Sequence, residues 1–506
     1  MANFLFNFFK NYKRIIIVAL AFLTPIIACL VFGLLQGQWI GNYYLPSSQW
    51  NDELLYFKQV EGVVEYGYPQ GFFGYNESAA QKLTFSAWSP IIIGIYVLWG
   101  KIFGWSIHAP IICNVLLICA GLAFFAYKAK LNYKQLGLLG GFVILFIPLS
   151  RFMLSCMADC EIIFILMIYM GFYMGESLAK DSSPSASGII GMLICSIFLT
   201  LMRPYFLLLF LFPGYLLAKR KKWGIFVVLG IIGLTVILYA YIAQNFMAPY
   251  FFPLIDTEWI KTIFSEPFYG IKEAIKIFIY GLGDSFSECV SGIMKGNMEG
   301  GFWCFFALLL LLLICLSIKE KQYRVWVAIM VALFGAIIMF YDIHVGSRHL
   351  MPFIFIVVLL LCCSKYQKTC LGMLAVVIFL FTCRLQTDEY NYKFPAYDKR
   401  RAETINSLQE NVSEKMALEQ SEDYWDNTVI WLFRDETMLN WQSLYALPEG
   451  MGINLCMPDY VAENIDGLKA KYIAVNTGER IDLMFAQSQA KKITEQGGLT
   501  IWQLRE

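Results

Sequence analysis

Long apolar segments recur along the first 384 residues of the chain, and they limit the folds that it can adopt. The first segment runs from Ile15 to Leu35 without a charged residue, and about 20 such residues can cross the hydrocarbon core of a bilayer as one helix. Hydrophobic residues make up 58% of the sequence and charged residues only 15%, with a mean hydropathy of +0.58. These values are far from those of a soluble chain. The sequence therefore predicts an α-helical polytopic membrane protein.

About eleven segments are predicted to span the membrane. They are residues 15–35, 109–127, 136–157, 161–178, 188–202, 204–218, 224–244, 302–318, 325–341, 350–364 and 369–384. A further apolar run, residues 90–103, is short and contains Lys101. It lies between a proline and a glycine, and it is predicted to form a helix at the membrane interface.

Basic residues determine the predicted orientation. Lys10, Lys13 and Arg14 precede the first span, and no small-residue cleavage site follows it, so we expect an uncleaved anchor with a cytoplasmic N-terminus. With eleven spans the basic cluster Lys219–Lys222 also faces the cytoplasm; a crossing by residues 90–103 would invert it. The external parts are then loop 36–108, loop 245–301 and the residues after 384.

Two regions are predicted, a transmembrane catalytic domain over residues 1–384 and a small extracytoplasmic α/β domain over residues 385–506. The composition of the second region is that of a soluble protein, and it alternates strand-like and helical stretches. We expect a helix near 401–420 and strands near 428–433, 452–456, 471–475 and 499–504. It contains no recognisable catalytic motif.

Charge and cysteine content exclude some classes of protein. The net charge is +1 and no basic domain stands out, so nucleic acid is not an expected partner. Most of the fourteen cysteines lie in apolar runs, as small hydrophobic residues would. No CxxC or Cys/His metal spacing occurs, so the sequence predicts neither a disulfide framework nor a zinc site.

An acidic doublet, Asp52-Glu53, follows the first span in the external loop 36–108. Carboxylates close to the hydrocarbon are costly unless they are paired or functional. On a helix the two side chains point about 100° apart, so only one can face a given cleft. The doublet is therefore either a catalytic acid with a structural neighbour, or the solvated first turn of a helix, where acidic residues are favoured.

Other polar residues at the ends of spans fall on the same predicted external face. Asp159 and Glu161 follow the third span, where they could be catalytic or could cap the next helix. The arginines Arg203 and Arg348 could bind phosphate oxygens with their planar guanidinium groups, or could be interfacial anchors. Glu161 and His349 are placed with the two arginines as candidates to bind the substrate or its lipid phosphate. Asp342 and His344, together with Asp159, could bind a divalent cation.

The order of these residues resembles a known family. The chain contains, in order, Asp52-Glu-Leu-Leu-Tyr56, Phe85-Ser-Ala-Trp-Ser-Pro90, Ile102-Phe-Gly104, Asp159, Arg203-Pro204 and Arg348-His-Leu-Met-Pro352. This pattern is similar to that of the GT-C superfamily of integral-membrane glycosyltransferases, especially bacterial protein O-mannosyltransferases and lipid A aminoarabinose transferases. The chain has Ser89-Pro90 where the family often has two prolines, and His349 where it often has tyrosine after the late arginine.

The resemblance implies a function and roles for individual residues. The first-loop acid, Asp52 or Glu53, would be the catalytic base, with Asp52 favoured. Asp159 would assist in the site or help to bind a metal, and Arg348 would contact the lipid phosphate. The expected reaction moves a sugar from a polyprenyl-phosphate donor to a hydroxyl of a glycan, lipid or protein acceptor, on the outer face of the bacterial cytoplasmic membrane.

Two alternative functions are considered. A polymerase or ligase of lipid-linked polysaccharide is also polytopic, but usually carries its large functional loop late in the chain, whereas the acidic loop here is early. A transporter of lipid-linked sugars would be expected to have charges near the middle of its spans and repeat-related halves. The predicted spans have few central charges and no internal repeat is evident, so transport is disfavoured.

Overall fold

The computed structural model of the protein describes most of the chain. The described residues are 12–39, 52–67, 73–78, 88–178, 184–247, 258–296, 298–340, 347–364, 367–385, 399–411, 425–432, 446–448 and 451–505. Within them the fold is a large bundle of α-helices followed by a small α/β module. This is the fold class that the apolar segments and the change of composition near residue 385 predicted.

The α-helices of the bundle follow one another closely along the chain. They are α1 (Lys13–Gln36), α2 (Asp52–Tyr66), α3 (Gly94–Phe103), α4 (Ala109–Lys128), α5 (Tyr133–Leu145), α6 (Ile147–Met153), α7 (Asp159–Leu178), α8 (Ala186–Met202), α9 (Leu211–Arg220), α10 (Gly224–Phe246), α11 (Glu258–Ser265), α12 (Pro267–Lys295), α13 (Met298–Lys319), α14 (Arg324–Phe340), α15 (Met351–Cys362) and α16 (Gln367–Leu380). Short 3₁₀ helices lead into α3, α9, α14 and α15.

Six helices among the described residues are long and apolar enough to cross a membrane. They are Lys13–Gln36, Ala109–Lys128, Asp159–Leu178, Gly224–Phe246, Gly301–Lys319 and Lys321–Phe340. The pair α5 and α6 would make a seventh span, bent by 70°. The predicted count of eleven is not confirmed, because several of the predicted spans form helices of 10–17 residues.

The bend between α5 and α6 changes the predicted span 136–157. Pro148 lies in the first turn of α6 and has no N–H to continue the hydrogen bonding of α5. The chain turns at Phe146, and α6 ends at Met153, six residues before α7 begins. The break places the segment 154–158 inside the protein, where every residue is buried.

The core of the bundle is helix α15. All of its twelve residues are buried, so it is apolar on every side, as expected of a helix surrounded by others. It contacts α7 and α13, which are two of the helices long enough to span a membrane. A helix of twelve residues is too short to cross a bilayer alone but long enough to fill the centre of a bundle.

The predicted external loop 245–301 contains two helices that the sequence did not reveal, α11 and α12. Helix α12 carries Lys272, Glu273 and Lys276 in its first half, so the sequence has no uninterrupted apolar run there. It packs on α13 and α14 while several of its large apolar side chains are exposed, among them Phe268 and Phe286.

Among the described residues, the C-terminal module contains a six-stranded mixed sheet. Its strands are β1 (Phe73–Tyr75), β2 (Thr428–Leu432), β3 (Gly452–Cys456), β4 (Tyr472–Asn476), β5 (Lys491–Gln496) and β6 (Leu499–Gln503), in the order β1-β3-β2-β4-β6-β5. Strands β1, β3, β2 and β4 are parallel to one another, and β6 is antiparallel to both β4 and β5. Helices α17 (Lys399–Asn406), α18 (Pro458–Glu463) and α19 (Arg480–Phe485) accompany the sheet.

Strand β1 comes from the predicted external loop 36–108, more than 300 residues before the rest of the sheet. It pairs in parallel with β3, with Phe73 opposite Ile453 and Tyr75 opposite Leu455. The boundary predicted at residue 385 remains a prediction, but the sheet takes in a strand from the first part of the chain.

Helix α2 contributes side chains to two of the hydrophobic cores of the described part of the protein. Leu54 and Leu55 are buried in the core on one side of the C-terminal sheet, together with Val429 and Trp431. The following residues Tyr56, Phe57 and Val60 belong to the core of the helical bundle. The first turn of α2 carries the acidic doublet, and it is therefore fixed between the helical bundle and the C-terminal sheet.

Candidate active site

The acidic doublet forms the first two residues of helix α2. Glu53 is completely buried, and its Oε1 accepts a hydrogen bond from the backbone N–H of Cys156 at 2.9 Å. Asp52 is 8% exposed. Glu53 thus satisfies a backbone donor in the break between α6 and α7, which is the structural role that one member of the doublet was expected to have.

Glu161 likewise accepts a hydrogen bond from a backbone N–H group, in this case one of helix α3. Its Oε1 accepts a hydrogen bond from the N–H of Tyr96 at 3.0 Å, in the first turn of that helix. The N–H groups of a first turn have no partner within their own helix, and a carboxylate there is favoured by the helix dipole. The second oxygen of Glu161 is buried and has no hydrogen-bond partner among the described residues.

A buried polar network holds the break between α6 and α7. The side-chain amide of Asn114 on α4 donates to the carbonyl oxygens of Phe152 at 3.2 Å and Ser155 at 2.8 Å. The hydroxyl of Tyr96 donates to Asn114 Oδ1 at 2.6 Å and lies 3.0 Å from the carbonyl oxygen of Met157. These contacts satisfy backbone groups that the break would otherwise leave unpaired in a low-dielectric interior.

Arg203 is the centre of the buried polar cluster at the end of α8. Its Nη2 donates to Asp159 Oδ1 at 2.7 Å, and both side chains are almost completely buried. Its Nη1 lies 2.8 Å from His349 Nδ1 and 3.1 Å from the hydroxyl of Tyr205. Three segments far apart in sequence, at residues 159, 203–205 and 349, therefore meet at one guanidinium.

These contacts determine the tautomer of His349. A guanidinium has donors only, so His349 Nδ1 must accept the hydrogen bond from Arg203. A histidine that accepts at Nδ1 is neutral and carries its proton on Nε2. The ring therefore presents an N–H donor on the side opposite Arg203.

Helix α2 approaches this cluster through Tyr56. Asp52 and Tyr56 are four residues apart and share one face of the helix. Tyr56 is buried in the core of the helical bundle, to which Tyr205, two residues after Arg203, also belongs. The structure thus brings Asp52, Glu53, Asp159, Glu161, Arg203 and His349 to one end of the bundle.

The side chains of three predicted site residues lie outside the part of the chain that the structure describes. The backbone of Arg348 lies in the 3₁₀ helix Ser347–Leu350 beside His349, but its side chain is outside the described part. Asp342 and His344 are also outside it. Within the described ranges no group of three or more His, Cys, Asp or Glu side chains could hold a metal ion.

The first-loop segment after β1 is fastened to the C-terminal module by Glu77. One carboxylate oxygen accepts hydrogen bonds from the N–H groups of Lys469 at 2.6 Å and Ala470 at 2.9 Å, and the other accepts from the hydroxyl of Tyr460 at 3.2 Å. The backbone of Glu77 has a left-handed φ of 54°. Burial and the charge of Glu77 together raise the pKa of Tyr460 to about 12.

Sequence reasoning missed several buried polar residues in the site and in the broken span beside it. Arg151 is buried in α6 with 1% exposure, although it lies within a predicted span. Arg151 follows Pro148 by three residues, and a charge at that place in an apolar segment could have indicated that the span is broken. Tyr96, Asn114 and Tyr205 gave no signal, since their roles depend on contacts between distant segments.

Comparisons with known proteins place the chain among membrane proteins. Residues 112–347 match the model of a family described as predicted membrane protein (DUF2142), which is somewhat less than half of the chain. A search of curated proteins finds no match.

Two crystal structures are similar to the protein over nearly the whole chain. ArnT from Cupriavidus metallidurans in the apo state has a TM-score of 0.43 and 10% sequence identity, with 96% of this chain and 97% of that chain covered. ArnT from the same organism bound to undecaprenyl phosphate has a TM-score of 0.41 and 12% identity, with the same coverage.

Proposed function

We propose that the protein is an inverting glycosyltransferase that moves a sugar from a polyprenyl-phosphate donor to an acceptor hydroxyl, on the outer face of the cytoplasmic membrane. The observation that carries the proposal is the buried cluster in which Arg203 holds Asp159 and His349. This cluster lies at the end of the bundle where α2 presents its acidic doublet. Carboxylate and guanidinium groups are the groups that such a transfer needs.

Asp52 is assigned the role of general base. The carboxylate of Glu53 is fully buried and bonded to the backbone at Cys156, so it is poorly placed to receive a proton from a substrate. Asp52 is the more exposed of the two. It would remove the proton of the acceptor hydroxyl as the oxygen attacks the anomeric carbon. Positioned general bases contribute about 10²–10⁴-fold to rate.

The leaving phosphate is the second requirement of the reaction. The bond between the anomeric carbon and the phosphate oxygen breaks as the new glycosidic bond forms, and its electron pair stays on the phosphate. We assign the stabilisation of that charge to Arg203 and to the Nε2–H of His349, with Arg348 as a further contact. In a buried site such donors act in a low dielectric and need little reorganisation.

Asp159 is assigned a positioning role in this mechanism. Its Oδ1 is already bonded to Arg203 at 2.7 Å, which fixes the guanidinium and balances its charge. The guanidinium supplies the positive charge that a cation would bring to this oxygen. No step of the proposed mechanism therefore passes through a metal ion, and a cation site that includes Asp342 and His344 stays a prediction.

A transfer assay with purified full-length protein tests the proposal. A panel of polyprenyl-phosphate sugars is incubated with glycan, lipid and peptide acceptors, and the release of polyprenyl phosphate is measured. We expect the wild type to act on at least one donor, Asp52→Asn to reduce the rate at least 100-fold, and Glu53→Gln to reduce it much less. Asp459→Asn, an exposed carboxylate of the C-terminal module, is the control and should leave the rate unchanged.

Other outcomes would point elsewhere. Undiminished transfer by Asp52→Asn, with Glu53→Gln also active, would remove the base assignment. Products that grow as a ladder of repeat units would indicate a polymerase. Movement of the lipid-linked sugar between leaflets without a covalent product would indicate a transporter.

A further inference from the structure

An apolar groove lies between α1 and α4, far in sequence from the site described above. It has a volume of about 570 Å³ and is lined by Arg14, Ile15, Val18 and Phe22 of α1 and by Ala123 and Tyr127 of α4. Apart from Arg14 at one end, its lining consists of apolar and aromatic side chains.

The periodicity of α1 produces the groove. Residues 14, 18 and 22 recur at intervals of four and form one stripe of the helix. The buried residues of the same helix, among them Ile17, Ala21 and Ala28, pack into the bundle. From Arg14 to Leu23 the stripe is about 13 Å long at 1.5 Å per residue, close to half of the ~30 Å hydrocarbon core of a bilayer.

Arg14 closes one end of the groove. Its Nη2 donates to the backbone carbonyl oxygen of Tyr127 at 3.1 Å, in the last turn of α4. Its guanidinium carbon lies 4.4 Å from the centre of the Tyr127 ring. These contacts hold the side chain over the groove and use one of its five N–H donors, which leaves donors for a ligand.

The surroundings of this end are positively charged. Lys13 lies over the ring of Tyr133, and Lys128 lies over those of Phe124 and Phe172. The stretches 12–39 and 109–145, which contain the groove, include no aspartate or glutamate. An anionic group at the Arg14 end of the groove would therefore meet several cations and no carboxylate from these stretches.

We propose that this groove is a binding site for an anionic phospholipid. One acyl chain would lie along the stripe of α1, and the phosphate would accept hydrogen bonds from Arg14. Lipid tails are about as apolar as the side chains that line the groove, so contacts with the acyl chain alone would hardly favour one lipid over another. Selectivity would come from the phosphate and the headgroup charge, for which the planar guanidinium is well suited.

The length of the groove and the charge at one end both favour a lipid. The apolar stripe extends across one leaflet only, and its basic end is where a headgroup would lie. The N-terminus of α1 is predicted to be cytoplasmic, and the cytoplasmic leaflet carries the anionic lipids that attract basic residues.

Thermal unfolding in detergent tests the site, because a ligand that binds the folded state raises its melting temperature. The probes are phosphatidylglycerol, phosphatidylcholine with the same acyl chains, and glycerol phosphate. We expect a larger rise with phosphatidylglycerol than with phosphatidylcholine, and none with glycerol phosphate. Arg14→Gln should lose most of the difference between the two lipids. Arg220→Gln, an exposed basic residue at the end of α9, should keep it.

A second variant separates binding from a general loss of stability. Ala19→Trp places a large side chain on the exposed groove side of α1 and leaves Arg14 in place. It should reduce the response to both lipids while the melting temperature without lipid changes little. Equal rises with the two lipids in the wild type, or an unchanged lipid preference in Arg14→Gln, would overturn the proposal.

Discussion

The guanidinium of Arg203 lies 2.7 Å from the carboxylate of Asp159, although 44 residues separate them along the chain. Asp159 begins helix α7 and Arg203 follows the last residue of helix α8, so the ion pair joins one end of each. Both side chains are shielded from solvent. In such a place each charge depends on the other, because neither has water to solvate it.

Replacement of Arg203 by alanine is expected to lower the free energy of unfolding by about 3–5 kcal/mol, since the buried Asp159 would be left with an uncompensated charge. The double variant Arg203→Ala with Asp159→Asn should lose less than the sum of the two single losses. Denaturant titration of the detergent-solubilised protein measures these differences.

The ion pair between Arg480 and Asp459 provides a matched control. It has a distance of 3.2 Å but both side chains are exposed, so Arg480→Ala should cost under about 1 kcal/mol. Equal losses for Arg203→Ala and Arg480→Ala would show that burial does not strengthen the dependence of Asp159 on Arg203.

The two acids of the doublet are expected to respond differently to substitution. Glu53→Ala removes the acceptor of the Cys156 N–H, so it should destabilise the protein by about 1–3 kcal/mol. Glu53→Gln keeps an oxygen acceptor and should cost less. Asp52→Asn should change stability little while it reduces transfer. A large loss of stability in Asp52→Asn, with Glu53→Ala neutral, would reverse the two roles.

Titration of Tyr460 reports on the contact with Glu77. Its pKa in the folded protein is about 12, raised by burial and by the carboxylate, against an ordinary value of 10.0. The stabilisation linked to this proton is complete below pH 10 and is lost as the pH rises through about 12. Glu77→Gln should move the pKa of Tyr460 toward 10.

NMR of protein with labelled tyrosine rings, with Tyr460→Phe to assign the signal, measures this shift. Tyr472 is the internal control, because its pKa is raised by burial and by Asp426 and should not respond to Glu77. An unchanged Tyr460 titration in Glu77→Gln would contradict the contact.

Gly74 tests whether β1 supports helix α2. A Cβ at this position would overlap the carbonyl oxygen of Ser78 and the amide of Asn454, so Gly74→Ala should displace the strand. Because α2 shares a hydrophobic core with the sheet, backbone hydrogen exchange in residues 52–66 should become faster. Gly94→Ala, where a Cβ meets open space, should leave exchange in residues 52–66 unchanged.

The sequence predicted those parts of the fold that depend on local pattern. All four of the expected strands, such as that near 452–456, lie at or within a residue or two of β2, β3, β4 and β6, because short runs of apolar residues are a local signal. The count of spans was less predictable. Helix α15 is fully apolar but has only twelve residues, and its place at the centre of the bundle follows from its neighbours rather than from its length.

In the candidate site, too, the features with a local signal in the sequence were predictable and those that depend on packing were not. The span ends that carry Asp159, Arg203 and His349 could be located from hydropathy, and the structure brings these three residues together. Their pairing could not be derived, because it depends on how helices from three parts of the chain pack. The buried contact of Glu53 with Cys156 was also beyond local reasoning, since it required the break after α6.

The parallel pairing of β1 with β3 has a consequence for synthesis. A membrane protein emerges from the ribosome with its N-terminus first, and domains generally fold in that order. Residues 73–75 cannot pair until residues 452–456 have been translated and moved to the same side of the membrane. Helix α2 would wait in a partly open state for almost the whole of translation. The first acidic residues made would be among the last to reach their final positions, so a chain truncated before β3 would be inserted but incomplete.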